Sequence, residues 1–172
     1  MSALGAVPAS AAAQPASAEG GHARTAVFEQ YRPGADAVTY SLDRVPVGAR
    51  ASVLSYDLGG RTVVALAVTG LPPNTEYGAH VHVRPCGPNP ADSGPHFQNV
   101  PDPNQPSTDP AYANPRNEVW LDFTTNRRGS ALAVSRVAWT FGDRQADSIV
   151  LHEHHTHVGG AAGARLGCVR FG

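Results

Sequence analysis

Two imidazoles stand two residues apart in His80-Val81-His82, at the end of an alternating apolar run. A third follows in Gly94-Pro95-His96-Phe97, and a fourth, His152, ends a second apolar run, Ile149-Val150-Leu151-His152. Imidazole is a common ligand for copper and zinc, and sites of this softness select those metals over magnesium or calcium. Side chains i and i+2 of a strand share one face, so His80 and His82 can reach the same ion. The pattern predicts a metal centre on a β scaffold. His154 lies two residues beyond His152, faces the same side, and could take its place. With His155 and His157 it reads either as a solvated polar loop or as an auxiliary copper or zinc site.

The elements that must carry these histidines are strands. With 18 Gly and 15 Pro in 172 residues, the composition favours turns and short strands over long helices. Strand patterning is present at 25–28, 37–40, 49–56, 61–68, 77–83, 118–125, 130–139, 148–152 and 165–171. Eight or nine short strands joined by hairpin-type turns predict an all-β antiparallel sandwich or barrel. No segment of helical period has useful length. Between the histidine strand and the next one, residues 84–117 hold nine prolines. A loop of that length inside one domain is functional or anchored, and Cys86 and His96 are its anchors. Trp120 and Trp139 read as core residues, and Arg127-Arg128 as the solvated charge of a hairpin turn.

Composition removes other classes. The net charge of −1 gives no basic excess for a nucleic-acid partner. No apolar run is long enough to span a bilayer. Residues 1–24 are rich in Ala, Ser, Gly and Pro and read as a remnant of a signal peptide or as a flexible linker. This tail is set apart from the domain at 25–172. Cys86 and Cys168 read as one disulfide or as two unrelated buried thiols, and the export-type tail favours the disulfide. The expected location is secreted or in the cell envelope.

Four ordered blocks carry a resemblance. Leu71 to His82, Gly94-Pro95-His96-Phe97, Ile149-Val150-Leu151-His152 and the segment from Ala161 to Cys168 resemble the copper–zinc superoxide dismutases, from about residue 25 to the end. The resemblance implies an eight-stranded Greek-key β-barrel with long loops and one disulfide, Cys86 to Cys168. It implies copper bound by His80, His82, His96 and His152, with superoxide as the small-molecule substrate. His96 would be the ligand that leaves and takes a proton, and Arg165 the residue that attracts and orients the anion.

The departures are as informative. Between His96 and Asp122 the chain has no histidine, and Asn99, Asn104 and Asn117 stand where that family's zinc ligands would be expected. Amides are poor zinc ligands, so zinc is expected to be absent, as in a copper-only branch. A carboxylate must then orient His96; Asp122 and Glu118 are the candidates, with Asp122 ahead. The alternative reading is a non-catalytic copper-binding protein or a structural envelope domain on the same fold. The resemblance leaves the oligomeric state open between a monomer and a homodimer.

Overall fold

Alternation in the sequence becomes alternation in burial. In the strand Arg61–Thr69, Thr62, Val64, Leu66 and Val68 point inward and the residues between them outward. The computed structural model describes residues 19–172. Its strands are β1 (Glu19–Val27), β2 (Ala37–Thr39), β3 (Arg50–Leu58), β4 (Arg61–Thr69), β5 (Glu76–His82), β6 (Phe123–Thr124), β7 (Ala131–Val137), β8 (Ser148–His152) and β9 (Arg165–Arg170). The sole helical turn among the described residues is a 3-10 turn at Pro90–Ser93.

The strands form two antiparallel sheets, one ordered β1-β3-β4-β7 and the other β2-β9-β8-β5-β6. The core between them joins Val53, Leu66 and Val68 of the first sheet to Val81, Ile149 and Leu151 of the second, with Phe28 and Phe97 from connecting segments. Each such side chain, fully buried, contributes roughly 1.5–3 kcal/mol. The expected all-β fold with long loops and one disulfide is what the chain adopts: Cys86 and Cys168 are bonded, closing a sequence separation of 82 residues. The bond ties the long loop to β9, and Tyr40 Oη adds a hydrogen bond to Gly87 O at 2.9 Å.

Two details differ from the sequence expectations. The first strand begins at Glu19 rather than at residue 25, because the backbone of 19–24 finds an antiparallel partner in β3, with a register shift between Glu19 and Gly21. The apolar alternation of that stretch is weak, so pairing, not patterning, extends it. The rest of the expected tail, 1–18, lies outside the described residues. The expected strand at 118–125 reduces to Phe123–Thr124, with isolated bridges from Glu118 to Gln98 and from Trp120 to His80. Glu118 pairs with the irregular loop, and 119–121 only by scattered bonds with β5, so no regular ladder forms before Phe123. Including the short β2 and β6, nine strands are present among the described residues, within the eight or nine that the sequence predicts.

Candidate metal centre

Strand register assembles three of the four imidazoles. β5 sends Tyr77, Ala79 and Val81 into the core, so Gly78, His80 and His82 share its other face. β8 runs beside β5 with Gly78 opposite His152 and His80 opposite Val150. The pairing of β8 with β9 shifts register at His152, a bulge of the kind that re-aims one side chain. Gly78 is glycine for a reason of space: a Cβ there would collide with His154 O and press on Ala162. That close approach lets the 152–162 segment lie over β5.

His96 arrives by another route. The loop segment 95–97 runs antiparallel to β5, with Val83 N donating to Pro95 O and Phe97 N to Val81 O, so His96 faces His82. Gly94, at φ 72°, makes the turn that starts this approach. One donor atom from each of His80, His82, His96 and His152 then lies within 4.8 Å of the others. Among the described residues this is the sole group of three or more potential metal ligands, and it joins the four histidines that the sequence singled out.

Each ring has one nitrogen tethered and one turned inward. Thr156 Oγ1 donates to Asp122 Oδ1 at 2.7 Å, so it accepts from His80 Nε2 at 2.6 Å. His80 Nδ1 is left buried with no hydrogen-bond partner. His82 Nδ1 donates to Gly94 O at 2.9 Å, and His96 Nδ1 to Glu118 Oε2 at 2.9 Å. His152 Nδ1 is held more loosely, 3.4 Å from Gly163 O. The inward atoms are therefore Nδ1 of His80 and Nε2 of the other three. His82 Nε2 and His152 Nε2 stand 3.4 Å apart, two lone pairs directed at one another. A buried orphan nitrogen and two facing lone pairs fit a cation, and an all-imidazole set suits copper or zinc.

The electrostatics keep these lone pairs free. Burial, followed by the neighbouring imidazoles, holds His80 and His82 well below the usual histidine range. His152 is pushed down to about 3, by burial first and then by His96, against a small opposing effect of Gly163 O. Neutral imidazoles are what a metal requires.

The carboxylates divide the work differently from expectation. Asp122, placed ahead for orienting His96, does not touch it. It accepts from Thr156 N, Thr156 Oγ1 and Ala79 N, and so acts on His80 through Thr156. Glu118 is the residue against His96. Its Oε2 also accepts from Trp120 Nε1 at 2.7 Å, and its Oε1 from Gln98 Nε2 at 2.8 Å. The reason is depth: Glu118 lies where the 118–122 segment meets Gln98, and Asp122 four residues on lies beyond the imidazoles. Residues 118, 120 and 122 do share one side, as strand alternation required, and Trp120 serves Glu118 rather than the core. Thr156 and Gln98 carried no signal in the sequence.

Arg165 opens β9 directly opposite His152. Its guanidinium is half-buried, held by Pro90 O at 3.0 Å and Ser93 Oγ at 2.9 Å. With His96, Pro95, Thr108 and Gly160 it lines a pocket of about 140 Å³, room for a small anion. Burial lowers its pKa from the ordinary arginine value, and its charge adds to the depression at His80, His82 and His152. The remaining histidines do not converge. His154 sits between Glu76 and Glu153, 3.6 Å from each, His155 Nε2 reaches Phe123 O at 3.0 Å, and His157 is exposed. Of the two readings of His154, His155 and His157, a solvated polar loop or an auxiliary metal site, the geometry favours the loop, and His152, not His154, joins the cluster.

The two sheets form a β-sandwich that carries a four-histidine cluster, and the fold is like that of the Cu/Zn superoxide dismutases. Among solved structures, Cu/Zn superoxide dismutase from Brucella abortus superposes at a TM-score of 0.56 with 16% identity, covering 88% of this chain and all (100%) of that one. A double mutant of a SOD-like protein from Bacillus subtilis gives a TM-score of 0.52 at 17% identity, covering 71% of this chain and 89% of that chain. The clock protein EA4 gives 0.54 at 21%, covering 71% and 85%. No family model and no curated protein sequence matches the chain. At these identities the likeness is one of fold.

Proposed function

We propose that the protein is an exported, copper-dependent superoxide dismutase with a mononuclear centre, converting two superoxide anions and two protons to oxygen and hydrogen peroxide. The observation that carries the reading is the inward set of four imidazole nitrogens, each ring fixed by a bond at its other nitrogen. Copper, when bound by His80 Nδ1 and by Nε2 of His82, His96 and His152, supplies a one-electron redox couple. Arg165 draws the anion into the small pocket and orients it there. Glu118 keeps the proton of His96 on Nδ1, so that Nε2 is the atom free to take up and release another. That same bond occupies the nitrogen a bridged second metal would need, which supports a centre without zinc.

Export is supported by the Cys86–Cys168 disulfide, since such bonds persist in oxidising compartments. No described helix is long and apolar enough to cross a membrane. The second reading, copper binding without catalysis, would be favoured by a fifth donor closing the centre. His154 is the residue placed to do so by sequence, and it faces Glu76 and Glu153 instead.

The test is elemental analysis of copper-reconstituted, dialysed protein, with dismutation assayed on the same sample. One copper, negligible zinc and rapid dismutation is the expected result. One copper without dismutation shifts the reading to a copper-binding protein, and no retained copper removes both.

A further inference from the structure

The outer face of the β1-β3-β4-β7 sheet lies on the side of the sandwich away from the four histidines, and its chemistry is unlike the rest of the surface. Register places Leu54, Ala65 and Val134 in one row and Ser52, Ala67 and Leu132 in the next. Leu132 is 69% exposed, Leu54 45% and Val134 43%. Around this apolar centre stand Arg50, Arg61 and Arg136 on the same face, with Arg127 and Arg128 in the turn leading into β7; all five are exposed. None of them forms an ion pair among the described residues. No outward position of β3, β4 or β7 is Asp or Glu. Five of the 13 cationic residues thus frame the β3-β4-β7 part of this face, whose outward positions hold no acid, in a chain whose net charge is −1.

We propose that this face docks the protein onto an anionic lipid surface. The two halves of the observation select that partner. A phosphate-bearing bilayer meets the guanidinium rim, and its acyl boundary accepts Leu54, Leu132 and Val134. A nucleic acid would satisfy the arginines and leave the apolar centre without a partner. A second copy, seated face to face, would set an arginine rim against another arginine rim with no acid to receive it. Docking in this sense turns the histidine face toward solution. The proposal is independent of which metal the centre holds.

The experiment is co-sedimentation of the full chain with vesicles of equal parts phosphatidylglycerol and phosphatidylcholine, and with phosphatidylcholine alone, at low and at physiological salt. Binding to the anionic vesicles, weakened by salt and absent with phosphatidylcholine alone, is expected. Each arginine near an anionic surface is worth about fivefold in partitioning, so the pair Arg50→Gln and Arg136→Gln lowers it about 25-fold. Leu54→Ser with Leu132→Ser also lowers it; should that variant misfold by circular dichroism, the arginine pair decides. The proposal fails if anionic vesicles are not bound, if both vesicle types bind equally, or if the arginine pair has no effect. It also fails if polyglutamate binds as well as vesicles and the leucine pair changes nothing, which would mark a general polyanion or acidic-protein surface. A dimer in sedimentation velocity that Leu132→Ser abolishes would assign the face to a second copy and overturn it likewise.

Discussion

Glu118 is 1% exposed and fills both carboxylate oxygens with three donors, from His96, Trp120 and Gln98. Replacing it with Gln would set amide hydrogens against N–H groups that need an acceptor. Partners of this kind typically contribute 10–100-fold to metal affinity, so Glu118→Gln is expected to weaken copper binding by that factor, read by chelator competition. Asp122→Asn should also weaken binding, through Thr156 and His80, and leave the His96 side intact. A pH dependence follows from the depressed imidazoles. Between about pH 6.5, where unfolded histidine titrates, and about pH 3, where folded His152 does, the unfolded chain binds more protons than the folded one. Stability of the metal-free protein is complete above that window and falls as the pH drops through it. Thermal unfolding of the apo protein from pH 7.5 to pH 4 should show the decline, and His152→Gln should lessen it, His80 and His82 supplying the remainder. The histidines were legible in the sequence because spacing two residues apart on a strand is a geometric statement. Thr156 was not, because its link to His80 exists only once a loop folds back across 76 residues.

At the scale of elements, the loop that delivers His96 depends on its tether to β9. By chain entropy, a bond closing 82 residues of separation is worth about 4.5 kcal/mol, and removing such a bond from a small secreted domain costs about 2–5 kcal/mol. The pair Cys86→Ser and Cys168→Ser should lose stability in that range by denaturant titration, and should bind copper less well because Gly94 and His96 lose their anchor. Gly78→Ala is a sharper probe: the added methyl meets His154 O and Ala162, and overpacking of this kind costs roughly 1–3 kcal/mol. β5 and β8 were legible because their apolar runs end on the histidines themselves. The 118–122 stretch was read as strand and became a bridge-bearing segment, since alternation reports which side a residue faces and not whether a regular partner exists. The choice between Glu118 and Asp122 turned on position along that segment, which alternation does not report.

On the scale of the whole molecule, cationic side chains stand on both sides of the sandwich. Arg165 stands at the small pocket on one side, and the framed arginine face occupies the other. Arg165→Ala is expected to lower the dismutation rate and the dependence of that rate on ionic strength, with copper content unchanged; an unaltered rate would remove its steering role. The arginine face could not be read along the chain. Positions 50, 61, 127, 128 and 136 have no common spacing, and the last stretch looked like an ordinary hairpin turn until three strands aligned. The all-β sandwich was readable because strand count and turn spacing bound the architecture before any contact is known. Its two-sheet order also divides the imidazoles by the kind of backbone that carries them. His80, His82 and His152 ride on laddered strands, whose amides exchange with solvent only when the sheet opens. His96 rides on a loop joined to β5 by a few bonds, Phe97 N to Val81 O among them. Segments so differently tied open on separate clocks. Deuterium should enter at Phe97 well before Ile149, and in that interval three imidazoles stay in register while the fourth swings free.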